Sequence, residues 1–259
     1  MNLFLGVDVG SISTDAVLVD SLGKILSHDI VKSGFDHKRA IDKVVESVCE
    51  KAGICYKDIK KIVGTGYGRR NVPGICKSVT EISCHAMGIH AIYPEVKTLI
   101  DIGGQDSKAI RVSADGFVET FVMNDKCAAG TGRFLEVMAN AMEVNIDKLG
   151  EYSLKASGTV KISSICTVFA ESEVISRISE GEPEENIIAG VHNAIADRII
   201  AMVHLIGVKQ NLALSGGVAK NNGVKMALEK KIGKVWVPEE PQIIGALGAA
   251  LYALANGET

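Results

Sequence analysis

The sequence Asp-x-Gly occurs twice in this chain, each time directly after a run of apolar residues. Asp8 precedes Gly10 in the first copy, and Asp101 precedes Gly103 in the second, 93 positions further along the chain. Glycine lets backbone N–H groups approach phosphate oxygens closely, and a carboxylate can hold a Mg²⁺ ion or its water shell. The repeat therefore predicts a phosphate clamp with Asp8 and Asp101 as its catalytic carboxylates.

The turn after each aspartate adds further groups that can contact a phosphate. The first turn offers hydroxyls and backbone donors from five consecutive residues: Gly10, Ser11, Ile12, Ser13 and Thr14. In the second turn, Gly103 and Gly104 lead to Gln105, a residue type that can orient water for attack on a γ-phosphate. A local hydrogen bond within the turn explains Gln105 equally well, and both interpretations stay open.

A third glycine turn follows a short apolar run at residues 212–214. Paired glycines at Gly216 and Gly217 allow a flat purine or a ribose to lie against the backbone. The helix predicted after them, which begins near Asn221, favours anionic groups at its N-terminus. Any strand-to-helix turn that needs a positive φ can show the same glycines, but in combination with the two hairpins they indicate a nucleotide site.

The elements that must position these turns are alternating strands and helices. Each Asp-x-Gly lies in a predicted hairpin of two β-rich runs, the second of which ends at a glycine turn. Apolar residues at helical spacing predict helices at residues 39–52, 80–93, 133–142, 168–178, 187–206 and 245–255. The fold class is therefore α/β.

Composition and charge limit the classes of function. The 259 residues are 47% apolar and 23% charged, and the formal net charge is −3, which argues against nucleic acid as the main ligand. The longest apolar stretch, residues 243–255, is too short to span a membrane. We find no pattern of a signal peptide and expect a cytoplasmic protein whose six cysteines are reduced.

Two of the six cysteines, Cys127 and Cys166, lie just ahead of predicted helices, where the helix dipole favours a thiolate. A [4Fe–4S] cluster needs four thiolates, so two chains in a symmetric dimer could hold one cluster between them. The spacing of 39 residues matches no CxxC-type motif, however, and free cysteines are commonly buried. From the residues alone, two buried cysteines are the favoured interpretation. Cys84 beside His85 is likewise interpreted as packing.

The three glycine turns, in this order, resemble the nucleotide-binding fold shared by actin, the 70-kDa heat-shock ATPase domain and the sugar kinases. The resemblance implies two ribonuclease-H-like halves with ATP and Mg²⁺ in the cleft between them. The first half is expected at residues 1–96 and is completed by residues 240–259, and the second half is expected at residues 97–239. Residues 242–251 resemble the second crossing helix of that fold, which adds Gln242 to the expected nucleotide contacts.

Five longer segments resemble a specific family, the ATP-dependent activators of 2-hydroxyacyl-CoA dehydratases together with related subunits of benzoyl-CoA reductase. They are residues 65–69, 81–88, 101–106, 123–134 and 166–176. The resemblance implies that Cys127 and Cys166 of two subunits bind one [4Fe–4S] cluster, which reverses the interpretation from the residues alone. One departure is Asp15, which stands where the family often has lysine at the end of the first phosphate loop.

The function implied by this resemblance is that of a homodimeric iron–sulfur ATPase. A reduced ferredoxin or flavodoxin would load the cluster, and ATP hydrolysis would drive single electrons onto a 2-hydroxyacyl-CoA dehydratase or a related iron–sulfur reductase. An exposed cluster of this kind would be sensitive to oxygen, which suggests an anaerobic host. One alternative is a small-molecule kinase of the same superfamily, with Asp125 as a candidate catalytic residue. Another is a chaperone-type or filament-forming ATPase, but neither alternative explains the two cysteines.

Overall fold

The computed structural model describes residues 2–163 and 166–255. Within them the chain forms two compact units, each with its own mixed β-sheet. Unit 1 comprises Met1–Val96, Val112–Glu119 and Gln242–Thr259, and unit 2 comprises Lys97–Arg111 and Thr120–Pro241. Residue 1 and residues 256–259 of the predicted first half, and residues 164–165 of the predicted second half, lie outside the described residues.

Strands and helices alternate along much of the chain. The strands are β1 (Leu3–Val9), β2 (Ser13–Val19), β3 (Ile25–Lys32), β4 (Ile59–Gly66), β5 (Lys77–Ser78), β6 (Thr98–Ile102), β7 (Ser107–Val112), β8 (Val118–Asn124), β9 (Leu212–Ser215) and β10 (Val235–Trp236). The α-helices are α1 (His37–Ala52), α2 (Glu81–Ile92), α3 (Gly132–Ala141), α4 (Leu149–Leu154), α5 (Thr167–Ser179), α6 (Glu184–Ile206), α7 (Asn222–Ile232) and α8 (Ile244–Ala255).

The sheet of unit 1 has the strand order β3-β2-β1-β4-β5. β1 and β2 form the first hairpin and pair antiparallel, whereas β4 runs parallel to β1. Alternate residues of a strand point to opposite faces of its sheet. Leu5 accordingly packs in one cluster with Ile41 of α1, and Phe4 packs in another with Leu247 of α8. All of β1 is buried, so the first aspartate lies at the edge of a doubly covered core.

Glycine residues bring α8 into backbone contact with its neighbours in unit 1. A Cβ atom at Gly6 of β1 would collide with the backbone of Ala246 in α8. Where α2 and α8 cross, a Cβ atom at Gly88 would collide with the Ile244 carbonyl, and one at Gly248 would collide with the backbone of the facing helix. These close crossings position the side chains of α2 and α8 beside the end of β1.

The sheet of unit 2 has the strand order β10-β9-β6-β7-β8. β6 and β7 form the second antiparallel hairpin, and β9 runs parallel to β6 on its other side. Among the described residues, α6 is the one helix long and apolar enough to cross a membrane, but 61% of its apolar stretch is buried inside the protein. Its buried residues belong to the core of unit 2, so packing accounts for its hydrophobicity.

Candidate functional site

The first glycine turn is held in place by the residue that follows β3. The Gly10 N–H donates to the Ser13 carbonyl over 2.9 Å, which closes the turn between β1 and β2. The Ser33 hydroxyl donates to the Gly10 carbonyl over 2.6 Å and lies 2.9 Å from the Thr14 hydroxyl. Ser33 therefore holds the base of the turn, and residues 11–12 at its tip are partly exposed.

Asp8 lies near the end of β1 with only 6% of its surface exposed. Two glycines leave room for its carboxylate, because a Cβ atom at Gly66 or Gly245 would collide with the carboxylate oxygens. His85 on α2 places Nε2 3.9 Å from Asp8 Oδ2 and 3.8 Å from Oε1 of Glu81. The candidate ligand atoms of Asp8, Glu81 and His85 lie within 4.8 Å of one another, a spacing that suits one divalent cation.

A second carboxylate, Asp15, lies directly opposite Asp8 in the ladder between β1 and β2. Both residues are 6% exposed, and the Ser13 hydroxyl donates to Asp15 over 3.3 Å. Residues directly opposite each other in an antiparallel pair share a face of the sheet, and two negative charges in such a pair would repel each other. A cation bound at Asp8 would reduce this repulsion.

Asp101 occupies the corresponding place in the second hairpin but has different neighbours. It is 2% exposed, and the Ser215 hydroxyl donates to its Oδ1 over 2.7 Å. The Lys108 ammonium lies 3.2 Å from Asp101 Oδ2 and 2.9 Å from Asp106 Oδ2. Lys108 thus brings a fully buried ammonium between one buried carboxylate and one partly exposed carboxylate.

The second glycine turn is joined by hydrogen bonds to the start of α3. The Gly103 N–H donates to the Asp106 carbonyl over 3.0 Å and closes the turn as in the first hairpin. The N–H groups of Gly132 and Arg133 donate to the carbonyls of Gly103 and Gly104 over 2.9 and 2.8 Å. N–H groups in the first turn of a helix have no partner within the helix, so the glycine turn supplies these partners.

The third glycine turn reaches Asp101 from the end of β9. Gly216 has a φ of 85°, and a Cβ atom at this position would lie 3.0 Å from Asp101 Oδ1. The next residues form a short 3₁₀ turn, Gly217–Lys220. Asn221 then caps α7, because its Oδ1 accepts from the N–H groups of the second and third helical residues over 2.9 and 3.2 Å. Within unit 2 the second and third turns thus meet around Asp101.

Three other residues named from the sequence differ in their exposure. Gln105 is exposed at the tip of the second turn. Gln242 is half-buried and belongs to unit 1, two residues ahead of α8. Asp125, the candidate of the kinase alternative, lies 3.5 Å from the exposed ammonium of Lys126. A side chain at a solvent-exposed tip, such as that of Gln105, can meet both water and a bound phosphate.

Cys127 and Cys166 are both half-buried and outside disulfides. Asn124 holds the loop of Cys127: its Nδ2 donates to the carbonyls of Cys127 and Ala129 over 2.8 and 3.1 Å, and the Cys127 N–H donates back to Asn124 Oδ1 over 3.3 Å. Cys166 is the N-cap residue of α5. α3, which begins at Gly132 beyond the Cys127 loop, packs against α5. Each cysteine therefore precedes one of two helices in mutual contact.

The other four cysteines have different environments. Burial raises the pKa of the Cys84 thiol to about 12, and burial also raises the pKa of Cys49. A thiol with a raised pKa stays protonated at neutral pH, which disfavours reactivity and metal binding. Cys55 and Cys76 are exposed residues of unit 1.

Several residues of the site were not identified from the sequence: Ser33, Glu81, His85, Lys108, Asn124 and Ser215. His85 was interpreted as packing, and it is indeed 4% exposed, but its Nε2 also faces Asp8. The four-residue spacing from Glu81 to His85 could have indicated this, because it puts both side chains on one face of α2. Lys108 could have been found by extending the repeat, since it corresponds to Asp15.

Comparison with known proteins relates these features to a family. The sequence model of the BadF/BadG/BcrA/BcrD ATPase family matches residues 5–253. The activator of lactoyl-CoA dehydratase from Anaerotignum propionicum is 47% identical over 253 residues, which cover 96% of each chain. The solved structure of the activator of 2-hydroxyisocaproyl-CoA dehydratase from Clostridium difficile with bound ADPNP has a TM-score of 0.94. It is 45% identical and covers 99% of this chain and 96% of that one.

A more distant protein shares the fold alone. A ROK family glucokinase from Streptomyces griseus, solved in complex with glucose and AMPPNP, has a TM-score of 0.56, covers 97% of this chain and 99% of its own, and is 15% identical. The prediction of an α/β fold of the actin and sugar-kinase type is confirmed. The extent of the family match and the identity to its relatives lead to one conclusion: this chain belongs to the BadF/BadG/BcrA/BcrD ATPase family.

Proposed function

We propose that this chain is a homodimeric [4Fe–4S] ATPase that couples ATP hydrolysis to the transfer of low-potential single electrons onto a partner metalloenzyme. The proposal is supported by relatives of 47% and 45% identity whose names describe activators of 2-hydroxyacyl-CoA dehydratases. A dehydratase of this class, or a related iron–sulfur reductase, is the proposed partner. Reduced ferredoxin or flavodoxin is the proposed electron donor, in the cytoplasm of an anaerobic host.

The observation that carries the proposal is the hydrogen-bonded connection between the second glycine turn and α3. The carbonyls of Gly103 and Gly104 accept from the first N–H groups of α3, and the loop of Cys127 leads directly into that helix. A phosphate bound by the turn would fix the direction of its peptide groups, and loss of the phosphate would release them. The presence or absence of the nucleotide can then change the surroundings of Cys127, because the glycine turn, α3 and the Cys127 loop are joined by the backbone and its hydrogen bonds. Coupling of ATP hydrolysis to electron transfer requires such a difference between the two nucleotide states.

The cysteines of the chain fit an iron–sulfur cluster shared between two subunits. Each chain offers Cys127 and Cys166 as half-buried thiols outside disulfides, whereas a [4Fe–4S] cluster takes four thiolates. When bound, such a cluster would supply a one-electron carrier. The role of the protein is to position the cysteine ligands. Asn124 fixes the Cys127 loop through hydrogen bonds. Cys166 lies at the N-terminal end of α5, where the helix dipole favours negative charge.

We assign nucleotide binding to the glycine turns of each unit. The proposed contacts in unit 1 are Gly10, Ser11, Ile12, Ser13, Thr14 and Gln242, and those in unit 2 are Gly103, Gly104, Gln105, Gly216, Gly217 and Asn221. We assign Mg²⁺ to Asp8, because the oxygens of Asp101 already accept from Ser215 and contact Lys108. Asp101 then serves catalysis by holding Lys108 in place, and Gln105 is proposed to orient the attacking water.

The experiment that tests this function is metal analysis after strictly anaerobic purification. We expect about four irons and four sulfides per dimer in the wild-type protein. Cys127→Ala and Cys166→Ala should each abolish cluster binding, while the matched control Cys55→Ala, at an exposed position of unit 1, should retain it. Wild-type protein and Cys55→Ala, supplied with reduced ferredoxin, should pass single electrons to an acceptor protein only in the presence of ATP and Mg²⁺, and the two cluster-free variants should not.

Two results would contradict the proposal. A colourless wild-type dimer that hydrolyses ATP and resists cluster reconstitution would favour a small-molecule kinase of the same fold. A cluster retained in both single variants would exclude Cys127 and Cys166 as its ligands.

A further inference from the structure

A partly buried arginine of α6, Arg198, lies against the loop that carries Cys127. Its side chain occupies the space beside Gly130, because a Cβ atom at that glycine would lie 2.8 Å from Arg198 Cγ. Gly130 also has a φ of 84°, a conformation that residues with a side chain seldom adopt. The backbone that follows Cys127 therefore packs directly on the aliphatic part of Arg198.

The residues that precede Cys127 are also neighbours of this arginine. Asn124, Asp125 and Lys126 line a cavity of about 290 Å³ together with Arg198, and apolar residues of β8 and α6 supply the rest of its walls. Asn124 is the residue that holds the Cys127 loop through hydrogen bonds. Because Arg198 has loop residues on both sides of Cys127 as neighbours, its positive charge lies close to this proposed cluster ligand.

The guanidinium of Arg198 has no counter-ion among the described residues. Its Nε–H group is buried without an acceptor there, and the two carboxylates closest to it along the cavity and the helix have other partners. Asp125 lies 3.5 Å from the ammonium of Lys126, and Asp197 lies 2.7 Å from the ammonium of Lys231. Arginine is charged at every physiological pH, and a buried charge is normally balanced by an opposite one. The described part of the chain does not supply this balance.

The cluster proposed above would supply the missing negative charge. A [4Fe–4S] cluster and its four cysteine thiolates together carry two negative charges when oxidised, and three after reduction by one electron. The charge around such a cluster is one of the factors that set its reduction potential. A nearby positive charge stabilises the more negative, reduced state, and solvent screens a partly buried charge less than an exposed one.

We propose that Arg198 is the counter-ion of the cluster and favours its one-electron reduction. The guanidinium acts through its charge across the Cys127 loop and does not coordinate iron, so the role requires neither a contact of Nε with the cluster nor a change in the ligand set. The inference rests on the proposed function, since it requires a cluster at Cys127 and Cys166.

The test is a redox titration of anaerobically purified dimers, with dithionite as the one-electron reductant and electron paramagnetic resonance as the readout. We expect Arg198→Met to lower the equilibrium constant for reduction about tenfold, which corresponds to a potential more negative by about 59 mV. Arg198→Lys keeps the charge and should restore most of this shift. The control is Lys126→Met, which removes an 89% exposed ammonium next to Cys127 and should leave the potential near that of the wild type.

A second measurement separates this electrostatic role from a structural one. Urea denaturation of the cluster-free proteins should show Arg198→Met to be at least as stable as the wild type, because the substitution removes a partly buried charge that has no counter-ion. After cluster reconstitution, the same variant should lose iron to a chelator severalfold faster than the wild type. Failure of Arg198→Met to take up iron, with a cluster-free form as stable as the wild type, would also support the proposal.

Three results would overturn the proposal. They are equal potentials in the wild type and Arg198→Met, an equal shift in Arg198→Met and Arg198→Lys, and a cluster-free Arg198→Met that is less stable than the wild type. Iron analysis of every preparation precedes the titration. Wild-type protein that binds no iron would contradict the proposed function itself, whereas a normal cluster with an unchanged potential in Arg198→Met would contradict the role of Arg198 alone.

Discussion

Lys108 occupies in the second hairpin the position that Asp15 occupies in the first. The ladder of β1 and β2 pairs Asp8 with Asp15, and the ladder of β6 and β7 pairs Asp101 with Lys108. The second hairpin therefore carries the counter-ion of its aspartate within its own sequence, whereas the first hairpin opposes its aspartate with another carboxylate. Two copies of one motif thus place side chains of opposite charge type across the ladder from their aspartates.

Replacing Lys108 by Met should strongly destabilise the protein. The substitution keeps most of the side-chain volume but leaves the buried carboxylate of Asp101 and the partly exposed carboxylate of Asp106 without their shared cation. Breaking a buried ion group in this way costs about 3–5 kcal/mol in the free energy of unfolding. Urea denaturation followed by circular dichroism measures this value. Lys126→Met, at an ammonium that is 89% exposed, is the control and should stay within about 0.5 kcal/mol of the wild type.

Replacing Asp15 by Lys should weaken cation binding at Asp8. The new ammonium would stand opposite Asp8 as Lys108 stands opposite Asp101, and it would compete with a divalent ion for the same carboxylate. We expect the affinity for Mn²⁺, measured by electron paramagnetic resonance in the presence of ADP, to fall about tenfold or more. Asp42→Lys makes the same charge change at an exposed position of α1 and should leave the affinity near that of the wild type. Equal Mn²⁺ affinity in the two variants would show that Asp8 is not a ligand of the cation.

The burial of His192 should make stability fall on acidification. Its pKa is lowered from 6.5 to about 4 in the folded state by burial, so the unfolded chain takes up the proton first as the pH decreases. The resulting loss in the free energy of unfolding is therefore absent above about pH 6.5 and reaches about 3 kcal/mol near pH 4. His192→Asn should flatten the pH dependence of the unfolding free energy in this window. His204→Asn, at an exposed histidine of the same helix, should keep the wild-type slope.

Replacing Asn124 by Ala should loosen the Cys127 loop. The substitution removes two hydrogen bonds to the loop carbonyls and one acceptor for the Cys127 N–H. Net losses of about 0.5–1.5 kcal/mol for each bond would let the thiol move and should speed iron loss to a chelator severalfold. Asn140→Ala, at an exposed position of α3, serves as the control. Identical rates of iron release from both variants would show that Asn124 does not support the cluster ligand.

Helix positions could largely be predicted from the sequence because they depend on local signals. The helix expected at residues 39–52 is observed at His37–Ala52, and its start is set by Asp36, whose side chain accepts from the Arg39 N–H. β3 was not predicted, because its one buried residue is the polar Ser27 and the strand lacks apolar alternation. Ser33, the residue after β3, holds the first glycine turn through a hydrogen bond. Because the strand was not predicted, the role of Ser33 in the site was not predicted either.

The candidate site was predicted where it depends on spacing within one motif and was missed where it depends on tertiary contacts. The glycine turns follow from short segments of sequence, whereas the two cysteines were assigned to a cluster only through the resemblance of longer segments to a family. The contact of His85 with Asp8 needs the packing of α2 beside β1, and the bond between His192 and Asn221 joins residues of two different helices. Periodicity cannot reveal contacts of this kind, because they arise only when separate elements are brought together.

The contact of Gly245 with Asp8 has a consequence for the order in which unit 1 folds. Gly245 lies against the Asp8 carboxylate and His85, so the surroundings of Asp8 are complete only after α8 has docked onto β1 and α2. A folding intermediate in which β1 is formed but α8 is still undocked would therefore leave the proposed cation site open on one side. Metal binding at Asp8 is accordingly expected to follow the docking of α8.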